Sequence, residues 1–117
     1  MIIKSEEKIK PTIPEAPGIK DVTKKILIGT EDGSHNIVMR RFVVNPGGNT
    51  PRHTHDFEHI VNIEKGEGIA VDDQGNRHKI SAGQSLYIKP NEKHQFTNPY
   101  SAPFQFLCII PNIQKKG

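Results

Sequence analysis

The sequence predicts an all-β fold, a sandwich or barrel of eight short strands, on three observations. Its apolar residues fall in runs of strand length, turn-forming residues separate those runs almost every time, and no segment keeps a 3.6-residue apolar period through three turns. At 117 residues the chain makes one domain, able to bury roughly two-thirds of its unfolded surface around one core. Hydrophobic content is 33% and mean hydropathy −0.58, low for a folded chain. The clustering of the apolar residues nonetheless favours a folded domain over disorder.

The first twenty residues hold Pro11, Pro14 and Pro17, spaced for an extended or polyproline arm and hostile to a helix. This arm is expected to pack across a body, its own or a partner's. From Lys25 the strand-like segments are "KILIG", "NIVMRRFVV", "HIVNIEK", "GIAV", "RHKI", "SLYI", "HQFTN" and "FQFLCII". Between them "EDGSHN", "NPGGN", "KGEG", "DDQGN", "SAGQS" and "KPNEK" supply the Gly, Asp, Asn and Pro that tight turns require. The chain therefore divides into an arm at 1–20, a body at 21–113 and a tail at 114–117. No fixed-period repeat is present.

The net charge of +3 and pI near 9.1 would suit a nucleic-acid binder. The lysines, however, concentrate in "KSEEKIK" and "QKKG", mixed with glutamates, and read as solvated surface. No basic stripe interleaved with aromatics exists, and Trp is absent. Nucleic acid is excluded as a partner on that ground. No apolar run reaches membrane-span length, and "MIIKSEEKIK" places charges where a signal peptide would be apolar, so a cytoplasmic location is expected. The single cysteine, Cys108, rules out an internal disulfide framework and a Cys-based zinc motif.

Three of six histidines lie in "PRHTHDFEHI", and imidazole is the commonest protein metal ligand. Alternation along an extended chain puts His53 and His55 on one face, their Cα atoms roughly 6 to 7 Å apart. His59 would stand about 13 Å beyond His55 in a straight strand, so it joins them only if the chain bends at "DFE". Past that bend His59, Val61 and Ile63 share a face, and His94 shares the parity of Phe96; both histidines face inward. Glu58 is the rival ligand, but its parity points it away from the face of His59. His35, in a turn, and His78, between Arg77 and Lys79, read as solvated histidines.

The spacing resembles the cupin family. Its first motif is matched by "GGNTPRHTHDFEHIVNIEKG", with Gly47, His53, His55, His59 and Gly66 in register and His59 in the slot usually held by glutamate. Its second is matched by "GQSLYIKPNEKHQFTN" through Gly83, Pro90, His94 and Asn98, with Glu92 where a glycine is common and a Gly-to-Pro gap one residue longer. The segments "VMR", "PGG", "RHTHDFEH", "PNEKH" and "FLCIIP" are similar to those of small bacterial cupins with an all-histidine manganese site. The resemblance implies a double-stranded β-helix, or jelly-roll, barrel following the extended N-terminal arm read from the prolines, a homodimer, and a divalent metal held by His53, His55, His59 and His94. Mn2+ is favoured by resemblance and Fe2+ comes next, with Zn2+, Ni2+ and Cu2+ compatible with the same donors.

The pocket around that site is expected to use Arg40, Phe42, Phe57, Phe96, Phe106 and Cys108. Arg40 alternates with Val38, Phe42 and Val44, an awkward face for a charge; either it binds an anionic substrate or its face is solvent-exposed. Phe57 either closes the cavity mouth or is an exposed loop aromatic. Cys108 shares a face with Phe104, Phe106 and Ile110, as an oxidisable neighbour of the metal or as a small buried hydrophobe. Four neutral imidazoles leave a divalent ion its full charge, which favours anionic oxygen ligands. These features point to a dioxygenase-type oxidoreductase acting on a small enolisable or unsaturated molecule with O2 or peroxide. The alternatives are a noncatalytic ligand-binding cupin and a closed structural zinc site.

Overall fold

The computed structural model describes residues 1–113, and the tail at 114–117 lies outside the described residues. All eight expected strands form, in order: β1 (Lys20–Ile28), β2 (Ile37–Asn49), β3 (His59–Lys65), β4 (Glu67–Val71), β5 (Arg77–Ser81), β6 (Ser85–Ile88), β7 (Gln95–Thr97) and β8 (Phe104–Pro111). Every pairing is antiparallel, in the order β5-β4-β7-β2-β8-β3-β6, with β1 added against β2. The sheet curls into a jelly-roll barrel.

Alternation decides which side chains go inside. In β3, His59, Val61 and Ile63 are buried while Ile60 and Asn62 are exposed. In β8, Phe104, Phe106, Cys108 and Ile110 are buried in step. Apart from His59, these buried residues join Val22, Val44, Ile80, Ile88 and Phe96 in one core. Phe106 is its aromatic hub, with ring centroids 5.2 Å from Phe42, 4.8 Å from Phe96 and 5.3 Å from Phe104. Aromatic rings at such separations add roughly 0.5–1.5 kcal/mol per pair beyond the area they bury.

Two motif residues turn out to serve the fold. Gly66 joins β3 to β4 at φ +76°, and a Cβ there would stand 2.3 Å from the carbonyl oxygen of Pro103. No other residue fits both constraints. Asn98, 1% exposed, donates its amide to the carbonyls of Val44 (2.9 Å) and Ala102 (2.8 Å) and accepts from the backbone N–H of Tyr100 at 3.0 Å. It ties the loop before β8 to β2.

Three local expectations need correction. "NPGGN" does not end its strand: β2 runs through it to Asn49, and the β1–β2 register advances from Val44 to Asn49 on β2 while moving only from Val22 to Lys20 on β1. The glycines thus form a wide bulge, with Gly47 at φ +80°. "HTH" is not a strand either; among its residues His53 alone makes a bridge, to His94. The N-terminal arm is extended apart from a 3-10 turn at Glu6–Lys8, placed ahead of the prolines, and a turn at Pro17–Gly18. It packs on its own body: Thr12 exchanges two 2.8 Å backbone hydrogen bonds with Lys24, and Lys4 pairs with Asp32 at 3.0 Å.

Candidate metal centre

Backbone pairing brings the histidines together from distant stretches of chain. His53 and His94 exchange backbone hydrogen bonds of 3.2 and 3.0 Å, and the amide of Asn91 donates to the carbonyl of His55 at 2.6 Å. The loop carrying "HTH" is thereby clamped onto the turn that precedes β7. His59 arrives separately as the first residue of β3, opposite Ile88 of β6. The bend required between His55 and His59 is present.

Ring nitrogens of His53, His55 and His94 all lie within 4.8 Å of one another. His59 stands beside this trio, its ring centroid 5.2 Å from His55 and 5.1 Å from His94. The donors suit a cation in two further respects. Nδ1 of His94 lies 2.9 Å from the carbonyl oxygen of Glu92, and because a carbonyl can only accept, Nδ1 carries the proton and Nε2 keeps a free lone pair. Nδ1 of His59 is buried with no hydrogen-bond partner among the described residues, a costly state that a ligated cation relieves. The residues present fit a divalent metal.

Burial also keeps the imidazoles in the protonation state that ligation needs. His59 falls from 6.5 to about 3, chiefly by desolvation and then by the charges of His94 and Arg40. His53 falls to about 4 by desolvation, with His55 and His94 adding to it. Desolvation is likewise the leading cause that lowers His55 and His94. All four are neutral at physiological pH, the form in which imidazole binds metal.

Behind the histidines lies a cavity of about 190 Å3 whose lining includes Arg40, Phe42, Phe96, Phe106 and Cys108. Arg40 thus points inward. Its Nη2 lies 3.2 Å from Sγ of Cys108 and its guanidinium 4.9 Å from the centroid of Phe42. Cys108 is both a cavity neighbour and a buried thiol, and desolvation raises its pKa, which disfavours the reactive thiolate. Phe57 does not line the cavity. Its half-buried ring stacks on His55, centroids 4.8 Å apart and planes within 19°, so it braces that imidazole from behind.

The remaining candidates lie elsewhere. Glu58 is exposed and accepts from the hydroxyl of Tyr87 at 2.9 Å, facing away from the site. His35 is exposed. His78 is exposed too and pairs with Asp72 at 2.8 Å on the outer surface. Sequence reasoning missed the cavity residues Lys24, Thr50 and, from the arm and its end, Pro14, Ala16 and Ile19. Lys24 lies opposite Phe42 across β1 and β2, so its inward position follows from pairing that no local pattern announces. Thr50 is structural at the cavity edge, its hydroxyl accepting from the amide of Phe96 at 2.8 Å.

An antiparallel jelly-roll barrel with clustered histidines opening on an aromatic cavity defines the class: a β-barrel whose donor set suits a divalent metal. Residues 40–110 match the cupin domain family, and the chain belongs to that family. Among solved structures it is similar to the polyketide cyclase RemF of Streptomyces resistomycificus, with 32% identity and a TM-score of 0.91 over 95% of this chain and 79% of that one. A predicted oxalate decarboxylase of Thermotoga maritima superposes with a TM-score of 0.83 at 25% identity, covering 96% of this chain and 100% of the other. A curated relative, the HTH-type transcriptional activator RhaS of Escherichia fergusonii, is 39% identical over 51 residues, which are 44% of this chain. Those residues span only 18% of RhaS.

Proposed function

We propose that this cupin is a metal-dependent enzyme acting on a small enolisable or unsaturated organic compound, with His53, His55, His59 and His94 as ligands. The observation that carries the reading is the convergence of three imidazoles within 4.8 Å, with His59 alongside. Mn2+ is the favoured ion and Fe2+ the next, since an octahedral ion would keep open positions beside four histidines whereas tetrahedral zinc would be closed. When bound, such an ion supplies positive charge that stabilises a developing oxygen anion. The chain's own groups do the rest: neutral imidazoles leave that charge uncancelled, Phe42, Phe96 and Phe106 exclude water, and Arg40 orients the substrate.

The reaction we assign is a dioxygenase-type oxidation. It draws support from the lack of any carboxylate among the described cavity-lining residues, which removes one of the proton carriers that isomerase or hydrolase chemistry uses. A second reading, redox-neutral cyclisation, draws support from the likeness to RemF. One experiment separates them: protein loaded with Mn2+ or Fe2+ is incubated with a 1,3-dicarbonyl probe such as acetylacetone under air and under argon. Oxygen uptake, with products carrying the elements of O2, supports oxidation. Turnover unaffected by argon sinks it and leaves the redox-neutral reading. No turnover with a panel of such probes, with metal bound, would make the protein a ligand-binding cupin.

A further inference from the structure

Arg40 and Lys24 both line the cavity, and no carboxylate pairs with either among the described residues. The Nε of Arg40 is buried with no hydrogen-bond partner among those residues, and what its guanidinium does touch, a thiol and a ring face, cannot neutralise it. Lys24 is half-buried, and desolvation together with the charge of Arg40 lowers its pKa. Two like charges have been brought into one apolar recess, where their repulsion and the loss of hydration both cost stability. An arrangement of this kind is stabilised by an anion from outside. Phosphate would satisfy the charges but not the walls, since Phe42, Phe96, Phe106, Val61, Ile19 and Pro14 offer apolar surface. A guanidinium fork matches a carboxylate in two parallel hydrogen bonds, while an ammonium serves as a point charge beside it.

We infer that Arg40 and Lys24 form a carboxylate-binding subsite, so that the substrate is a small organic acid whose flat apolar body fills a cavity of about 190 Å3. This deepens the functional reading above and rests on it for the word substrate. The subsite itself requires only the two cations and the aromatic walls. Arg40 contributes directed hydrogen bonds, Lys24 contributes charge, and the histidines line the same cavity, where the reacting end of the acid would meet them.

The test uses the full chain, metal-free and metal-loaded, titrated calorimetrically with benzoate, its neutral isostere benzamide and inorganic phosphate. A buffer of about pH 8 keeps the histidines neutral, so anion binding cannot be credited to imidazolium. Benzoate is expected to bind the metal-free protein, with benzamide and phosphate each weaker by about tenfold or more. Arg40→Gln and Lys24→Gln should each lower benzoate affinity about tenfold while leaving benzamide affinity and metal content unchanged. Equal binding of benzoate and benzamide, loss of neither in the variants, or no benzoate binding at all would overturn the subsite. Phosphate binding as well as benzoate would overturn the choice of an organic acid. Should Arg40→Gln fail to fold, Lys24→Gln, on the half-buried partner, decides between the same outcomes. If the protein takes up no metal yet binds benzoate through these two residues, the metal reading fails and the subsite stands.

Discussion

Arg40 and Arg41 are adjacent in sequence and opposite in circumstance. Arg41, on the outer face of β2, donates to both carboxylate oxygens of Glu64 at 2.7 and 2.8 Å and also pairs with Glu6, while Gln105 holds Glu64 at 3.2 Å. Arg40, on the inner face, has no acidic partner among the described residues and is partly desolvated. The outer face closes its charges into a network that stabilises the fold. The inner face leaves its charges and lone pairs unsatisfied, and such groups are what a binding site consists of.

The largest effect that can break this contrast is loss of metal from the inner face. His94→Ala and His59→Ala are expected to lower metal content well below about one ion per chain, whereas His78→Ala, on the outer surface, should leave it unchanged; elemental analysis after purification decides. Equal losses in all three would mean that the histidines do not divide into inner ligands and outer bystanders. Next comes Arg41→Gln, which removes a half-buried bidentate pair and should cost about 2 kcal/mol in urea unfolding at neutral pH. Arg40→Met should do the reverse, raising stability of the metal-free protein by about 1 kcal/mol, because it removes an unneutralised charge from an apolar recess. If both substitutions destabilise alike, the two arginines are both structural and the comparison collapses.

A finer test is the pH dependence of metal-free stability, where the inner face begins to fail at a higher pH than the outer. The inner histidines have folded pKa values below 6.5, about 4 for His53 and about 3 for His59. Below 6.5 the unfolded chain therefore binds more protons, and stability is lost as pH falls from 6.5 through 4 and toward 3. Glu64 is held below its ordinary 4.5, first by its hydrogen bond from Arg41. Its contribution is present above 4.5 and is lost as pH falls through its lowered folded value. Thermal melts across pH should then show His53→Gln flattening the upper window and Arg41→Gln the lower. A single window, moved by neither variant, would refute the division.

How much of this was legible in the sequence follows from how local each feature is. The strands were readable because period-two burial and turn chemistry are written in neighbouring residues, as in His59, Val61 and Ile63. The cluster of His53, His55 and His94 was readable because its spacing is a motif. "NPGGN" misled because glycines that permit a turn also permit a bulge, and only the pairing of β1 with β2 chooses between them. Lys24 was missed because "VTKKILI" carries two lysines with nothing local to say which faces in; its place opposite Phe42 is decided across strands. Asn98 was visible as a motif residue, while its task, holding the carbonyls of Val44 and Ala102, needed the fold.

The arm that supplies Pro14 and Ala16 to the cavity wall meets the edge of β1 through the Thr12–Lys24 backbone pair. The barrel strands bring His59 and the two cations, the loop carrying "HTH" and the turn before β7 bring the other three histidines, and the leading segment, rich in proline, contributes shape. The aromatic part of the wall stays with the strands, while the arm's part is encoded in a separate stretch of chain. Exchanging the segment alone would reshape the cavity wall at Pro14 and Ala16 with no strand of the barrel redesigned.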